Sequence, residues 1–174
     1  MLRALRRHTQ SQPWFLLLLK LLVLLSLANG APVIATKMLR GTLGRPIDCG
    51  MRFPDGRPLF GASKTIRGVL VSLTATAIAA PLLGLELSTG VIIGAMAMLG
   101  DLFSSFLKRR LNLPPGSRMT GLDQIPESLF PLFACRVPLG LSLLDIASGV
   151  AAFFVGAVLL SRLFYQLGLR DRPY

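Results

Sequence analysis

Apolar runs of near-membrane length alternate with short polar stretches along most of this chain. The runs cover approximately 14–36, 66–85, 89–106, 125–143 and 144–167. Each approaches the roughly 20 residues that an α-helix needs to cross the hydrocarbon core of a bilayer. The pattern predicts an all-α integral membrane protein with about five transmembrane helices, forming one membrane domain over residues 1–174. A polar loop at about 37–65 separates the first two runs, and another at about 107–124 separates the third and fourth. Glycine and proline punctuate both loops, which reads as ordered turns rather than helix.

The first run is interrupted by Asn29-Gly30 and Pro32, and it follows a basic start at Arg3, Arg6 and Arg7. Two readings stand. One is a signal peptide with a passable cleavage region around residues 27–32. The other is a retained helix, with Trp14 as an interfacial anchor, Lys20 snorkelling to the near interface and Asn29 making a polar contact inside the bundle. The second run is rich in small residues, which allow close helix packing. No internal repeat stands out, which argues against a transporter built from inverted halves.

Composition agrees with the pattern: 52% of the residues are hydrophobic and the mean hydropathy is +0.62. A net charge of +11 raises nucleic acid as a partner. The cations lie between the apolar runs, however, so membrane topology accounts for them first, with anionic lipid or nucleotide as further partners and no nucleic acid. The positive-inside rule places both polar loops in the cytoplasm and predicts a multi-pass protein of the cell inner membrane with its site facing the cytoplasm. The link at 84–89 and the turn near Asp145 carry no Lys or Arg and fall outside. The C-terminal tail, with Arg170 and Arg172, falls inside; the N-terminus falls outside, against its own arginines.

Cys49 and Cys135 are far apart and offer neither metal-ligand spacing nor a disulfide framework. His8 sits in the N-terminal arm. Zinc sites and histidine-based catalysis are therefore not expected.

The chemistry concentrates at two places. The first is Gly61-Ala62-Ser63-Lys64-Thr65-Ile66-Arg67-Gly68, a glycine-rich turn leading into the second span. Backbone N–H groups at a helix start and a mobile ammonium suit phosphate, although the Walker spacing is absent. Gly61, Ser63, Lys64, Thr65 and Arg67 are the candidate contacts there, with a simple basic cap at a cytoplasmic helix start as the rival reading. The second place begins at Asp101. On a helix, Asp101, Ser104, Ser105 and Lys108 fall on one face, and Arg109 and Arg110 follow at the membrane boundary. A carboxylate in an apolar span needs a partner or a task, and Lys108 is the expected structural partner. Asp123 precedes the fourth span, with Glu127 four residues on. It reads either as an N-cap or as a second metal-binding carboxylate facing Asp101. Only oxygen ligands are on offer, so the ion would resemble magnesium rather than zinc. Arg136 falls inside the fourth run, where a charge calls for a partner from another helix or a lipid phosphate.

These residues resemble the CDP-archaeol synthase (CarS-like) family, which is related more distantly to phosphatidate cytidylyltransferases. The resemblance rests on Pro46-Ile47-Asp48-Cys49-Gly50, Asp55-Gly56-Arg57, Phe60 through Gly68, Gly100-Asp101, Ser105 through Arg110, and Leu122-Asp123-Gln124. They occur in family order between Ala28 and Leu132. Ile66 stands where familiar members have an aromatic residue, and Ile125-Pro126-Glu127-Ser128-Leu129 looks like the bacterial branch.

The resemblance implies five spans with the first helix retained, magnesium as cofactor, CTP as nucleotide and a membrane lipid phosphate as acceptor. Asp101 and Asp123 would face the metal. Lys64 and Lys108 would join them in catalysis, and Ser105, Arg109 and Arg110 would join the turn residues as phosphate contacts. The implied reaction is cytidylyl transfer to a lipid phosphate, archaeol phosphate-like or phosphatidate-like, with release of pyrophosphate. A homodimer stays open. Two rivals remain: another lipid-headgroup transferase such as a CDP-alcohol phosphotransferase, whose aspartate-rich motif is missing after Asp55-Gly56, and a non-catalytic scaffold or small transporter.

Overall fold

Apolar sequence and local hydrogen bonding leave one solution in a bilayer, because backbone polar groups there must be satisfied within the segment itself. The computed structural model describes residues 13–38, 44–117 and 119–166, and no strand occurs among them. The basic start with His8, Arg40, Arg118 and the tail at 170–172 lie outside the described residues. Among the described residues six helices follow one another: α1 (Trp14–Met38), α2 (Ile66–Leu82), α3 (Leu87–Arg110), α4 (Gln124–Ala134), α5 (Arg136–Leu139) and α6 (Leu143–Gln166). Three stretches, Trp14–Thr36, Leu87–Arg110 and Leu143–Arg162, are long and apolar enough to cross a membrane, and α2 is a shorter apolar helix.

The expected interruption of the first run does not occur. Helix α1 continues through Asn29, Gly30 and Pro32. Side chains bond back to the helix on either side of the proline: Asn29 Nδ2 donates to the Leu25 carbonyl at 2.9 Å and Thr36 Oγ1 to that of Pro32 at 2.8 Å.

The third run extends past its expected end. Lys108, Arg109 and Arg110 form the last turn of α3 instead of opening a loop. Cations favour a helix C-terminus, where the carbonyl ends carry partial negative charge.

The fourth run does not form one helix. Helix α4 has 11 residues and stops at Cys135, a length of about 16 Å, roughly half the hydrocarbon thickness. Pro138 supplies the reason: it has no N–H for the Ala134 carbonyl, and its ring opposes that turn. The chain makes one more turn, α5, and leaves it through a Schellman closure. There Gly140 is left-handed, Leu141 N donates to the Arg136 carbonyl at 2.9 Å and Gly140 N to that of Val137 at 3.4 Å. Arg136 is exposed at this break rather than buried in a span.

Packing is closest where side chains vanish. A Cβ on Gly90 would fall 2.3 Å from the Thr76 carbonyl oxygen, and one on Gly94 would fall 2.3 Å from Thr76 Oγ1. The backbones of α2 and α3 thus touch along a Gly-x-x-x-Gly seam, a membrane packing device that needs no hydrophobic driving force. Gly100 repeats the approach toward α4: its Cβ would lie 2.3 Å from the Pro126 carbonyl oxygen. The core joins Leu21, Leu24 and Leu25 of α1 to Ala80, Ile93, Leu132, Ile146 and Phe153. At one end, Trp14 Nε1 donates to Asp145 and ties the start of α1 to that of α6.

Candidate active site

At the other end of the bundle, α1, α3 and α6 finish and α2 and α4 begin. A cavity of about 440 Å³ opens among them. Its polar wall carries Ser63, Lys64, Thr65, Asp101, Ser105, Lys108, Arg109, Ser117, Asp123 and Glu127. Its apolar wall carries Pro32, Val33, Val69, Met98, Leu102, Phe153, Ala157 and Val158. One chamber therefore offers charge on one side and hydrocarbon on the other.

Each charged group reaches the cavity for a local reason. Thr65 caps α2, its Oγ1 accepting from Gly68 N at 3.2 Å, so Ser63 and Lys64 stand at the helix mouth. The Gly100 approach to Pro126 sets Asp101 beside Glu127, and the two carboxyls come within hydrogen-bonding range. The helical face drawn from the sequence brings Asp101, Ser105 and Lys108 to the cavity, while Ser104 is buried and its hydroxyl donates to the Asp101 carbonyl at 3.0 Å.

The purely structural alternative, Asp101 paired with Lys108, is not what forms; two crossed pairs stand there instead. Lys64 Nζ lies 2.5 Å from Asp101 Oδ1. Lys108 Nζ lies 2.6 Å from Asp123 Oδ1 and donates to the Ser117 carbonyl at 2.8 Å. Asp123 holds the N-cap position of α4 without capping it; its Oδ2 instead accepts from Met119 N at 3.0 Å. Each pair bridges two segments, and neither is within one helix.

Arg109 is 3% exposed. One guanidinium nitrogen donates to the Pro114 carbonyl at 2.7 Å. Its Nε and Nη1 have no hydrogen-bond partner among the described residues. A buried cation with unused donors on a cavity wall is poised for an anion.

Three expected contacts stand elsewhere. Gly61 and Arg67 are not on the cavity wall: Gly61 N donates to Asp48 at 2.9 Å, and Arg67 is buried beside the mouth of α2. Arg110 turns away to the 51–60 hairpin, where it meets Asp55 and Phe53, with Phe106 of its own helix also against it.

Glu127 and Asp48 carry weight that sequence reasoning did not assign. Glu127 was visible only as the residue four positions after Asp123. Asp48 is 2% exposed and organises the loop: its carboxylate accepts from Gly50 N, Phe60 N and Gly61 N at 3.0, 3.0 and 2.9 Å. Burial by itself would raise its pKa, but these three backbone donors outweigh that and hold it below the usual aspartate value. The Asp48-x-Gly50 turn signature was legible; its distant partners at Phe60 and Gly61 were not.

Oxygen donors from Asp101, Asp123 and Glu127 face the cavity, and neither His nor Cys does among the described residues. That donor set suits a hard divalent cation. No three acidic, His or Cys side chains among the described residues gather tightly enough to enclose a metal by themselves. Magnesium commonly completes its shell with water and substrate phosphate, so the fit holds for that ion.

Comparison with known proteins decides the family. The sequence profile of the CarS-like family, described as CDP-archaeol synthase, matches residues 74–174. The chain belongs to this family. It is 36% identical to the CDP-archaeol synthase of Pyrobaculum islandicum over 152 residues, covering 84% of this chain and 91% of that one. The Sulfurisphaera tokodaii CDP-archaeol synthase is 36% identical over 137 residues, covering 75% and 82%. The Pyrococcus furiosus protein of the same name is 44% identical over 107 residues, covering 56% and 60%. A solved structure of an intramembrane enzyme for archaeal membrane lipids biosynthesis superposes with a TM-score of 0.69 at 31% identity, covering 81% and 90%. The CarS-like chain is thus an integral membrane protein with an all-helical fold.

Proposed function

We propose that the two-sided cavity is where this CarS-like chain carries out its chemistry. Family membership makes it a CTP-dependent cytidylyltransferase that activates a lipid phosphate to a CDP-lipid. One observation carries the assignment of the site: buried Arg109, with two unused guanidinium nitrogens, shares a chamber with Lys64, Lys108 and an apolar wall. A nucleotide triphosphate needs the first set, and a lipid needs the second.

The acceptor supplies its own nucleophile. A phosphate monoester has its second pKa near 6 and is largely dianionic at pH 7, so no general base is required. Its oxygen forms a bond to the α-phosphorus of CTP as the bond to the bridging oxygen breaks. The electron pair leaves with pyrophosphate. Asp101 and Asp123, with Glu127 beside them, would hold the magnesium ion. When bound, that ion offsets phosphate charge. Lys64 and Lys108 exchange their aspartate partners for phosphate oxygens. Arg109 donates its free N–H groups to the triphosphate, and charge developing in the transition state meets donors already in place.

Topology belongs to the same proposal: five passes, with the broken α4–α5 segment as the fourth, in the cell inner membrane. The cavity would face the cytoplasm, where the positive-inside rule puts the Lys64 and Lys108 ends. Purified protein incubated with labelled CTP, magnesium and a panel of ether- and ester-linked lipid phosphates should yield a CDP-lipid and pyrophosphate. Absence of any CDP-lipid across the panel would reject the reading. A non-catalytic scaffold should show no magnesium-dependent CTP binding.

A further inference from the structure

Arg109 and Arg110 are adjacent on α3 and face opposite tasks. Arg109 lines the cavity and keeps two guanidinium nitrogens without a hydrogen-bond partner among the described residues. The Arg110 guanidinium is engaged by the 51–60 hairpin. Its Nη1 lies 2.6 Å from Asp55 Oδ1, and its Nη2 donates to the Pro58 carbonyl at 2.7 Å. The guanidinium carbon sits 4.6 Å from the Phe53 ring centre and 4.9 Å from that of Phe106. Those rings meet edge-on at 5.4 Å. Arg57 of the hairpin returns the contact, donating to the Arg110 carbonyl.

The hairpin's internal ties are two side-chain bonds, Arg52 Nη1 to the Gly56 carbonyl at 2.8 Å and Arg57 N to Asp55 Oδ1 at 3.0 Å, and three backbone bonds. Phe53 N bonds the Arg57 carbonyl at 2.9 Å, Gly56 N that of Phe53 at 2.9 Å and Leu59 N that of Met51 at 3.0 Å. An isolated hairpin of this kind is marginal in water. Phe60 at its end and Gly61 after it are held by Asp48, and then come Ser63 and Lys64 on the cavity wall. The anchor of the hairpin is therefore also an anchor of the wall.

We propose that Arg110 is a positioning residue: it clamps the hairpin to the end of α3 so that Ser63 and Lys64 are held ready for the nucleotide, and it does not itself touch phosphate. Arginine suits this task because a planar fork can pair with a carboxylate, donate to a carbonyl and lie against aromatic rings at once, which lysine cannot do.

The test is Arg110→Lys, with Asp55→Asn as a second variant that removes one arm from an exposed site. Two readouts are needed. Tryptic cleavage after Arg52 reports hairpin order and does not depend on the proposed activity. The split between KM for CTP and kcat rests on that activity. In Arg110→Lys, hairpin cleavage should accelerate about tenfold, with KM for CTP rising about tenfold and kcat within about twofold of the parent. Asp55→Asn should move the same quantities in the same direction by less. Parent-like cleavage in both variants would overturn the clamp. So would a large fall in kcat with KM and cleavage unchanged, the signature of a residue that touches the transferring phosphate.

Discussion

The ammonium of Lys64 stands between the two carboxylate oxygens of Asp101, at 2.5 and 2.6 Å, joining the mouth of α2 to the middle of the cavity wall on α3. Removing the Asp101 charge both frees this lysine and takes away a proposed metal ligand. Asp101→Asn is expected to lower turnover by about 10²–10³-fold. Turnover within a few-fold of the parent at saturating magnesium and CTP would remove Asp101 from the machinery.

Arg109 is the best-placed anion receptor on the wall. Arg109→Ala should reduce kcat/KM for CTP by about 10²-fold, and Arg109→Lys should recover little, because a lysine cannot supply several fixed donors. Steady-state kinetics with CTP varied at fixed lipid phosphate would check both. Hairpin cleavage should stay at the parental rate in these variants.

Gly100 sets the distance between α3 and α4. A Cβ there would meet the Pro126 carbonyl oxygen at 2.3 Å, and backbone cannot yield as a flexible side chain does. Gly100→Ala should destabilise the bundle by about 1–3 kcal/mol and lower turnover, since Asp101 and Glu127 would part. Gly30→Ala, with nothing within 4 Å, is the control and should be near neutral. Thermal unfolding in detergent compares the two.

The carboxylate of Asp48 gives the loop before α2 a predictable pH dependence. Its folded pKa lies below the unfolded value of 3.8. The sign follows: its contribution is complete above the unfolded value and is lost as pH falls through the folded one. Asp48→Asn should therefore lower the melting temperature by a constant amount across neutral pH. The gap to the parent should close only below about pH 4. A gap that narrowed between pH 8 and 6 would mean that another group is titrating.

Much of the fold was legible because a bilayer leaves few options. The first, third and last runs form long helices. The errors have separate causes. Pro32 predicts an interruption, yet α1 runs through it with side-chain bonds on either side. Pro138 breaks the fourth run where hydropathy alone sees continuity. Polarity at 108–110 predicts a loop, yet these cations complete a helix whose end favours them.

The sequence by itself determined that this chain lives in a membrane, that its spans are helical and that its charges collect at one end. Those properties follow from local chemistry: apolar length, internally satisfied backbone and the placement of Lys and Arg. Which acid meets which base was decided only by tertiary structure. Lys64 finds Asp101 from 37 residues away, and Arg110 finds Asp55 from 55. Such partnerships depend on which faces of separate helices come together, and glycines that let backbones touch set those faces. A linear pattern lists the charged groups but does not contain their distances.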